Sequence, residues 1–295
     1  MYDICCVGHI TLDKVVTPQA AKHMAGGTSF YFSNAIRNMD VNYTLVTSLA
    51  LSEMPVVEKL RNKGIEVHAT TGGETVYFEN IYSVNQDHRT QRVLQKADPF
   101  TIEQLDEIQA DVYHLGPLLA DDISVEFIKN LAQRGKLSLD AQGYLRKVED
   151  KNVIAIDWPE KRDALQHIHI LKVNEHEMEV LTGITDIHEG AKVLNDWGVK
   201  EVVVTLGSMG SVIYTDGVYY QIPAYKPVEV VDATGCGDTY MAGYLYQRAK
   251  GKGFQEAGEF AAAMASFKIE SSGPFTGTEE DVLELLAKHS IKPKA

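Results

Sequence analysis

The chain has 295 residues, of which 44% are hydrophobic and 23% are charged, and its formal net charge at pH 7 is -13. These values exclude a disordered protein, and the negative charge disfavours a nucleic-acid-binding surface, although a nucleotide can still bind where lysines or helix ends converge. The three cysteines show no metal-site spacing, and no signal peptide or membrane span is expected. We therefore predict a cytoplasmic protein with reduced thiols, folded as one α/β domain over residues 1–295 with an inserted segment.

The first part of the chain predicts strands that alternate with helices. The apolar run DICCVG over residues 3–8 is typical of a central parallel strand that is covered on both faces. Hydrophobic spacing then predicts a helix that follows Gly26 and Gly27 and runs to residue 39. The next predicted elements are a strand over 43–48, a helix over 54–63 and a strand over 65–70. This β-α-β order indicates a parallel sheet.

The alternation then stops. Residues 74–84 and 89–95 have the period of extended strands around an Asn-Gln-Asp-His turn, with no helix between them. Antiparallel strands inside a parallel α/β chain indicate a small sheet that lies apart from the main one. We predict that its strands come from about 11–17 and 68–96.

The second half of the chain returns to strands and helices. An Asp-Gly turn at 216–217 predicts a hairpin between 212–214 and 218–221. Strands are also predicted over 111–115, 137–140, 168–173 and 201–206, and helices over 123–134, 174–181, 254–269 and 279–289.

The stretch VEVVDATGCGDTYMAGYLYQRAK, residues 228–250, carries the strongest functional pattern. Its alternating valines predict a strand, residues 232–237 a turn, and Asp238 the start of an amphipathic helix. Gly235 and Gly237 let the backbone approach a bulky anion. The free N–H groups and the dipole of the helix N-terminus would attract that anion. We therefore predict an anion site at the turn.

An aspartate at the edge of this anion site needs a reason, because Asp238 repels phosphate. A phosphate loop of the G-x-x-x-x-G-K-[ST] form is absent from the sequence. A carboxylate suits an alcohol that must be oriented and deprotonated while it attacks a phosphoryl group. Half of a dinucleotide fingerprint is an alternative, but Tyr240 stands where its third glycine would fall.

The segment DATGCGD followed by an apolar helix resembles the second signature of the ribokinase-like (PfkB) carbohydrate kinases, usually D-T-x-G-A-G-D. The resemblance implies a central, mostly parallel sheet with helices on both faces and a small β-sheet lid over the substrate. It makes Asp238 the catalytic base and the amides of Gly235, Cys236 and Gly237 an anion hole. Cys236 stands where alanine is usual, which a role of its backbone N–H tolerates.

The same resemblance assigns residues near the N-terminus to the substrate. Asp13 matches the aspartate that binds a pair of substrate hydroxyls, although a surface turn residue would look the same. Gly26 and Gly27 resemble the di-glycine of the first signature, or a flexible entry to a helix. Asn34 lies later than the asparagine of the common G-G-x-x-x-N form.

A further pair of phrases, HLGPLL and DAQGYLR, resembles the myo-inositol kinase-like branch of the family. It makes Gln142 and Arg146 candidate contacts for a polyol or a phosphate. Both residues could equally be loop residues that follow a strand.

Asn174 and Glu177 match the N-x-x-E motif, which in relatives organises Mg²⁺ and its waters near the phosphates. Magnesium prefers few carboxylates together with water, which a single glutamate satisfies. Helix capping by Asn174 is the alternative.

The resemblance also implies an ATP site. The T-x-G-x-x-G form at Thr205, Gly207 and Gly210 corresponds to a loop near the nucleotide phosphates or ribose, although G-x-x-G alone is a weak pattern. The region of Gly273 would line the adenine pocket, or simply end a helix.

We therefore expect an ATP- and Mg²⁺-dependent kinase that phosphorylates a hydroxyl of a small polyol or sugar. A nucleoside kinase on the same fold and a non-catalytic sugar- or nucleotide-binding sensor are the alternatives. Many relatives bind a monovalent cation such as K⁺ near the anion hole, so such an ion is an open expectation here. A homodimer through the exposed face of the lid is also expected.

Overall fold

Two β-sheets organise the computed structural model, which describes residues 1–16, 20–82 and 89–290. In chain order the strands are β1 (Tyr2–Val7), β2 (Thr11–Val16), β3 (Ala21–Gly26), β4 (Tyr43–Ala50), β5 (Glu66–Gly72), β6 (Tyr77–Tyr82), β7 (Arg89–Gln95), β8 (Ala110–Leu115), β9 (Lys136–Asp140), β10 (Arg146–Glu149), β11 (Asn152–Ala155), β12 (Ile170–Asn174), β13 (Glu201–Thr205), β14 (Ser211–Thr215) and β15 (Val218–Ile222). The helices are α1 (Thr28–Ile36), α2 (Met54–Arg61), α3 (Val125–Leu131), α4 (Lys161–Leu165), α5 (Glu175–Thr182), α6 (Ile187–Asp196), α7 (Cys236–Ala249), α8 (Phe254–Ile269) and α9 (Glu279–Ser290).

The large sheet has nine strands among the described residues, in the order β15-β14-β13-β12-β9-β8-β1-β4-β5. Neighbouring strands from β13 to β5 are parallel, and only β14 and β15 run antiparallel at one edge. The predicted α/β fold with a mostly parallel central sheet is thus confirmed. Because the parallel strands point the same way, the residues that end β9, β12 and β13 meet at one edge of the sheet.

Helices cover both faces of the large sheet because successive residues of a buried strand point to opposite sides. In β1, Cys5 belongs to the apolar cluster that includes α3, α5 and α6. Its neighbour Cys6 belongs to the cluster on the other face, which includes α1, α7 and α8. None of the described helices is long and apolar enough to cross a membrane.

The small sheet has six strands among the described residues, in the order β10-β11-β7-β6-β2-β3. A small sheet was predicted, but its composition differs. Strand β5 pairs with β4 in the large sheet, so residues 68–72 do not belong to the small one. Strand β3 and the β10–β11 hairpin also belong to the small sheet and were not predicted. The polar sequence AKHMAG of β3 and the four-residue length of β10 and β11 give little hydrophobic periodicity. Residue 17 and the predicted turn at 85–88 lie outside the described residues.

The strand predicted from the alternating valines does not form. Val228, Val230 and Val231 are 94%, 67% and 49% exposed, and no described strand contains them. The N–H groups of Val231 and Asp232 instead donate to the carbonyl of Ile269, at 2.8 and 3.1 Å. Helix α7 begins at Cys236, two residues before the predicted start at Asp238.

Candidate active site

A cavity of about 920 Å³ lies where the carboxyl ends of β9, β12 and β13 face the small sheet. It is lined from both sheets and from α7 and α8, and it collects most of the residues that the sequence predicted. Those that line it are Asp13, Gly27, Gln142, Arg146, Asn174, Thr205, Gly207, Gly210, Gly235, Cys236, Gly237 and Asp238.

Residues 232–237, here called the anion-hole loop, deliver the start of α7 to this cavity. Gly235 precedes the helix with a φ of 79°, and a Cβ there would lie 2.1 Å from the ring of Tyr31, so both conformation and space require glycine. The amides of Gly235, Gly237 and Asp238 make no hydrogen bond within the described residues. The N–H of Cys236 donates to the carbonyl of Ala233 at 3.1 Å. Of the three amides that were predicted for an anion hole, those of Gly235 and Gly237 are therefore available to an anion together with that of Asp238, whereas the amide of Cys236 is used within the loop.

Cys236 contributes little beyond its size. Burial raises the pKa of its thiol to about 11, so the thiol is neutral at physiological pH. Its Sγ lies 3.8 Å from the carbonyl of Ala265 on α8. A small, neutral side chain is what the packing of α7 against α8 needs at this position.

Asp238 lies in the first turn of α7, partly exposed to the cavity. Burial, reinforced by the charge of Asp140, raises the pKa of its carboxyl to about 7. The charges of Lys172 and Arg146 and a hydrogen bond with Thr28 act in the opposite direction. A carboxyl whose pKa is near 7 can accept a proton and release it again at neutral pH.

A buried ion pair stands beside Asp238. Lys172 lies in the middle of β12 and lines the cavity, and its Nζ donates to Oδ2 of Asp140 at 3.0 Å and lies 3.9 Å from Oε2 of Glu177. Although burial opposes the charge, these two carboxylates hold the pKa of Lys172 above its ordinary value. A Cβ on Gly237 would lie only 3.3 Å from the same Nζ. The ammonium group therefore adjoins the amides of the anion hole.

Thr28, Asp140 and Lys172 were not predicted as site residues. The available signal was weak: a lysine inside the apolar strand ILKVN, an aspartate that ends KLSLD, and a threonine directly after the di-glycine. Their convergence depends on the order of β9, β12 and α1 in space, which local patterns do not contain.

The end of the cavity for which acceptor binding was predicted, here called the acceptor end, is built around Asp13 on β2. Its Oδ1 accepts a hydrogen bond from the hydroxyl of Thr11 at 2.6 Å. A Cβ on Gly26 would lie 2.4 Å from Oδ2 of Asp13, and Gly27 has a φ of 89° with the carbonyl of His9 2.5 Å from its Cβ position. Both glycines are thus explained by close packing rather than by flexibility.

Gln142 and Arg146 reach the cavity from the segment after β9. Residues Ala141–Leu145 form a short 3₁₀ helix, and the N–H of Gln142 donates to Oδ1 of Asp140 at 3.1 Å. Arg146 begins β10 of the small sheet and lies near enough to lower the pKa of Asp238. This segment therefore joins the acceptor end to the buried ion pair.

Asn174 and Glu177 form a capping box at the start of α5. Oδ1 of Asn174 accepts the N–H of Glu177, and Oε2 of Glu177 accepts the N–H of Asn174, both at 2.8 Å. The capping alternative is thus observed, and Asn174 but not Glu177 lines the cavity. No cluster of three metal-ligating side chains occurs among the described residues.

The other end of the cavity combines a glycine loop with an apolar wall. Gly207 and Gly210 have φ angles of 55° and 95°, and a Cβ on Gly210 would lie 2.1 Å from the carbonyl of Ile222. The hydroxyl of Thr205 bonds to the carbonyl of Val173 at 3.4 Å. The wall beside this loop consists of Val230, Val231, Ala262, Ala265 and Ile269.

Four predicted residues lie outside the cavity lining: Gly26 and Glu177, which pack directly behind it as described above, and Asn34 and Gly273. The side chain of Asn34 is buried, donates to the carbonyl of Phe30 at 2.8 Å and accepts from Nζ of Lys63 at 3.1 Å. Gly273 has a φ of 87° in the turn after α8, as expected of a helix stop. We leave Asn34 and Gly273 out of the proposed site.

Comparisons with known proteins agree with this architecture. The model of the family described as pfkB family carbohydrate kinase matches residues 60–281. A nucleoside kinase from Methanocaldococcus jannaschii is 37% identical over 321 aligned positions, which cover 99% of each chain. A cytidine kinase from Thermococcus kodakarensis is 26% identical over 274 positions, covering 87% of this chain and 92% of that protein.

Among solved structures, a pyrophosphate-dependent myo-inositol-1 kinase converted into a myo-inositol-3 kinase superposes with a TM-score of 0.86. It is 27% identical and covers 97% of this chain and 99% of its own. The chain therefore belongs to the pfkB family of carbohydrate kinases, phosphotransferases that use a hydroxyl group as acceptor.

Proposed function

We propose that the protein transfers the terminal phosphoryl group of ATP to a hydroxyl of a small polyol or sugar. The observation that carries this proposal is the position of Asp238. Its carboxyl shares one cavity with the unpaired amides of the anion-hole loop and with the polar residues Asp13, Gln142 and Arg146 of the acceptor end. An alcohol held by those residues is within reach of a base on one side and of a phosphoryl group on the other.

Asp238 orients the acceptor hydroxyl and accepts its proton as the oxygen attacks phosphorus. The bond from the terminal phosphorus to its bridging oxygen breaks, and the leaving group departs as ADP. The carboxylate form is required, and it becomes the major form as the pH rises through about 7. General-base catalysis of this kind contributes about 10²- to 10⁴-fold in rate.

The negative charge of the transferring group is met by fixed positive groups. The amides of Gly235, Gly237 and Asp238 and the ammonium group of Lys172 adjoin one another at the start of α7. Preorganised donors of this kind contribute about 10²- to 10³-fold each. When bound, Mg²⁺ supplies further neutralisation of the phosphates. Asn174 and Glu177 are the residues that would hold it through its waters.

The apolar wall supports a nucleotide rather than pyrophosphate as donor. Val230 and Val231 are 67% and 49% exposed, and they line the cavity together with Ala262 and Ala265. A nucleobase inserted there would remove these surfaces from water, which stabilises binding by about 25 cal/mol per Å². Pyrophosphate, the donor of one structural relative, would leave the wall exposed.

A nucleoside is the second candidate acceptor. The 37% identity to a nucleoside kinase extends over 99% of both chains. At the acceptor end, Phe78 and Leu118 add apolar surface beside Asp13 and Gln91. A base could stack on that surface while Asp13 holds the ribose hydroxyls.

A two-way screen tests the proposal. The purified protein is incubated with Mg²⁺, with ATP or pyrophosphate as donor, and with inositols, pentoses, hexoses and nucleosides as acceptors. ADP or phosphate release is measured, and the phosphorylated product is identified by mass spectrometry. We expect ATP-dependent turnover with a polyol or sugar; turnover with nucleosides alone supports the second candidate, and turnover with pyrophosphate but not ATP contradicts the donor assignment.

A further inference from the structure

One buried charge near the anion hole has no part in the mechanism above. Lys268 lies in the last turn of α8, and its side chain is fully buried. Charged lysine groups are almost never fully buried unless they are paired, so the partners of this one need an explanation.

The partners of Lys268 are oxygen atoms from two separate segments. Its Nζ donates to the carbonyl of Asp232 at 2.8 Å and to the carbonyl of Ser271 at 3.2 Å, and it lies 3.7 Å from Oδ2 of Asp232. A bond to Ser271 alone would be an ordinary C-terminal helix cap. Asp232, however, is the first residue of the anion-hole loop, which lies 36 residues earlier in the chain.

Asp232 connects Lys268 to the rest of the anion-hole loop. Its other carboxylate oxygen, Oδ1, accepts the N–H of Thr234 at 2.9 Å, directly before Gly235. Lys268 also lies 6.0 Å from the ring centre of Tyr31, the ring against which Gly235 packs. The ammonium group is thus surrounded by oxygens of the loop and of the turn after α8 and by an aromatic face.

We propose that Lys268 is a built-in cation that holds the anion-hole loop in place and makes a bound monovalent cation unnecessary. The inference rests on the proposed function and concerns the same site. Lys268 touches no reacting atom, so it is a positioning residue that acts through Asp232 and Gly235. Its fixed charge also favours negative charge in the anion hole.

This arrangement does not fit the K⁺ ion that the family resemblance suggested. Carbonyl and carboxylate oxygens are the ligands that such an ion takes, and at this cluster they surround Nζ of Lys268. An ammonium group and a potassium ion at contact distance would repel each other strongly in a buried site. The ammonium group of Lys268 therefore excludes a K⁺ ion from this oxygen cluster.

The first experiment uses the unmodified protein. Turnover and melting temperature are measured in KCl, NaCl, NH₄Cl and tetramethylammonium chloride at constant ionic strength. We expect both quantities to be the same in all four salts. Activation or stabilisation by K⁺ or NH₄⁺, absent in tetramethylammonium, would overturn the proposal.

The second experiment removes the lysine. Lys268→Ala removes the cation that holds the loop, so we expect kcat to fall about tenfold or more, with KM for the acceptor nearly unchanged. It also leaves room for an ion in the oxygen cluster. NH₄⁺ or K⁺, but not tetramethylammonium, should restore part of kcat and raise the melting temperature. In Lys268→Met the side chain fills the space, so the same loss should resist every salt. Lys288→Ala, which removes an exposed lysine of α9, is the matched control and should behave as the parent protein.

Unchanged kcat in Lys268→Ala, or a loss that no cation reverses in either readout, contradicts a positioning cation. Should that variant fail to fold, the salt comparison on the parent protein still decides whether an external cation is needed. Failure of the kinase proposal itself looks different: the parent protein shows no turnover with any acceptor in any salt, while K⁺ or NH₄⁺ still raises the melting temperature of Lys268→Ala.

Discussion

The edge of the large sheet and the small sheet contribute different chemistry to one cavity. From the large sheet come Asp140 and Lys172, both buried and tied to each other, while the small sheet supplies Asp13 and Arg146 from more exposed strands. In the function proposed above, the buried pair acts on charge at the reacting centre, whereas the small sheet contacts the acceptor. We infer from this difference that reaction type and acceptor choice depend on separate parts of the fold, so mutations in the two parts should change different kinetic constants.

The largest effect should follow the loss of the base. Asp238→Asn keeps the shape of the side chain but cannot accept a proton, so we expect kcat to fall by about 10³-fold, with ATP affinity and acceptor KM little changed. Steady-state kinetics and calorimetric titration of ATP measure the two quantities. Near-normal turnover in this variant would show that Asp238 is not the base.

Loss of Lys172 should come second. Lys172→Met removes the ammonium group beside Gly237 and leaves Asp140 unpaired, so we expect kcat to fall about 10²-fold. Since the charge of Lys172 lowers the pKa of Asp238, the pH–rate profile should also move to higher pH. Lys129→Met, on the exposed face of α3, is the control. An unshifted profile would mean that the two groups are not coupled.

A substitution on the small sheet should change the KM for the acceptor rather than kcat, unlike the two substitutions above. Asp13→Asn weakens the contact with the acceptor hydroxyls, so we expect KM for the acceptor to rise about 10-fold, with a smaller change in kcat. The melting temperature controls for damage to the bond from Thr11. A fall in kcat at constant KM would instead put Asp13 in the chemical step and blur the division between the two sheets.

The mildest perturbation is pH. Burial raises the pKa of Asp238 to about 7. The base is therefore protonated below that value, and kcat should fall about tenfold per unit as the pH drops below about 6.

The same shift predicts that the folded state loses stability as pH rises from about 4 to 7, since ionised Asp238 is disfavoured in the fold. Asp238→Asn should therefore melt higher than the parent at pH 8, and the gap should close near pH 4. A pH-independent gap would contradict the raised pKa.

Local patterns predicted the main elements well where hydrophobic spacing and caps agree. Helix α8 has the predicted bounds of 254–269, and α5 ends at Gly183 with a φ of 74°. The hairpin at Asp216 and Gly217 turns through two positive φ angles, as its sequence predicted. The strand predicted from the alternating valines was wrong, because apolar residues that line a cavity and apolar residues on a strand can have the same spacing in the sequence.

By itself, the amino-acid sequence determined the α/β alternation, the small inserted sheet and the glycine turn that carries Asp238. These features follow from side-chain period, turn residues and helix ends, which are properties of neighbours in the chain. Only the tertiary structure decided that Asp140 pairs with Lys172 and that Lys268 lies behind the anion-hole loop. The reason is physical: a buried charge is tolerated only beside partners that the folded sheet order brings from distant segments, and no local pattern records that proximity.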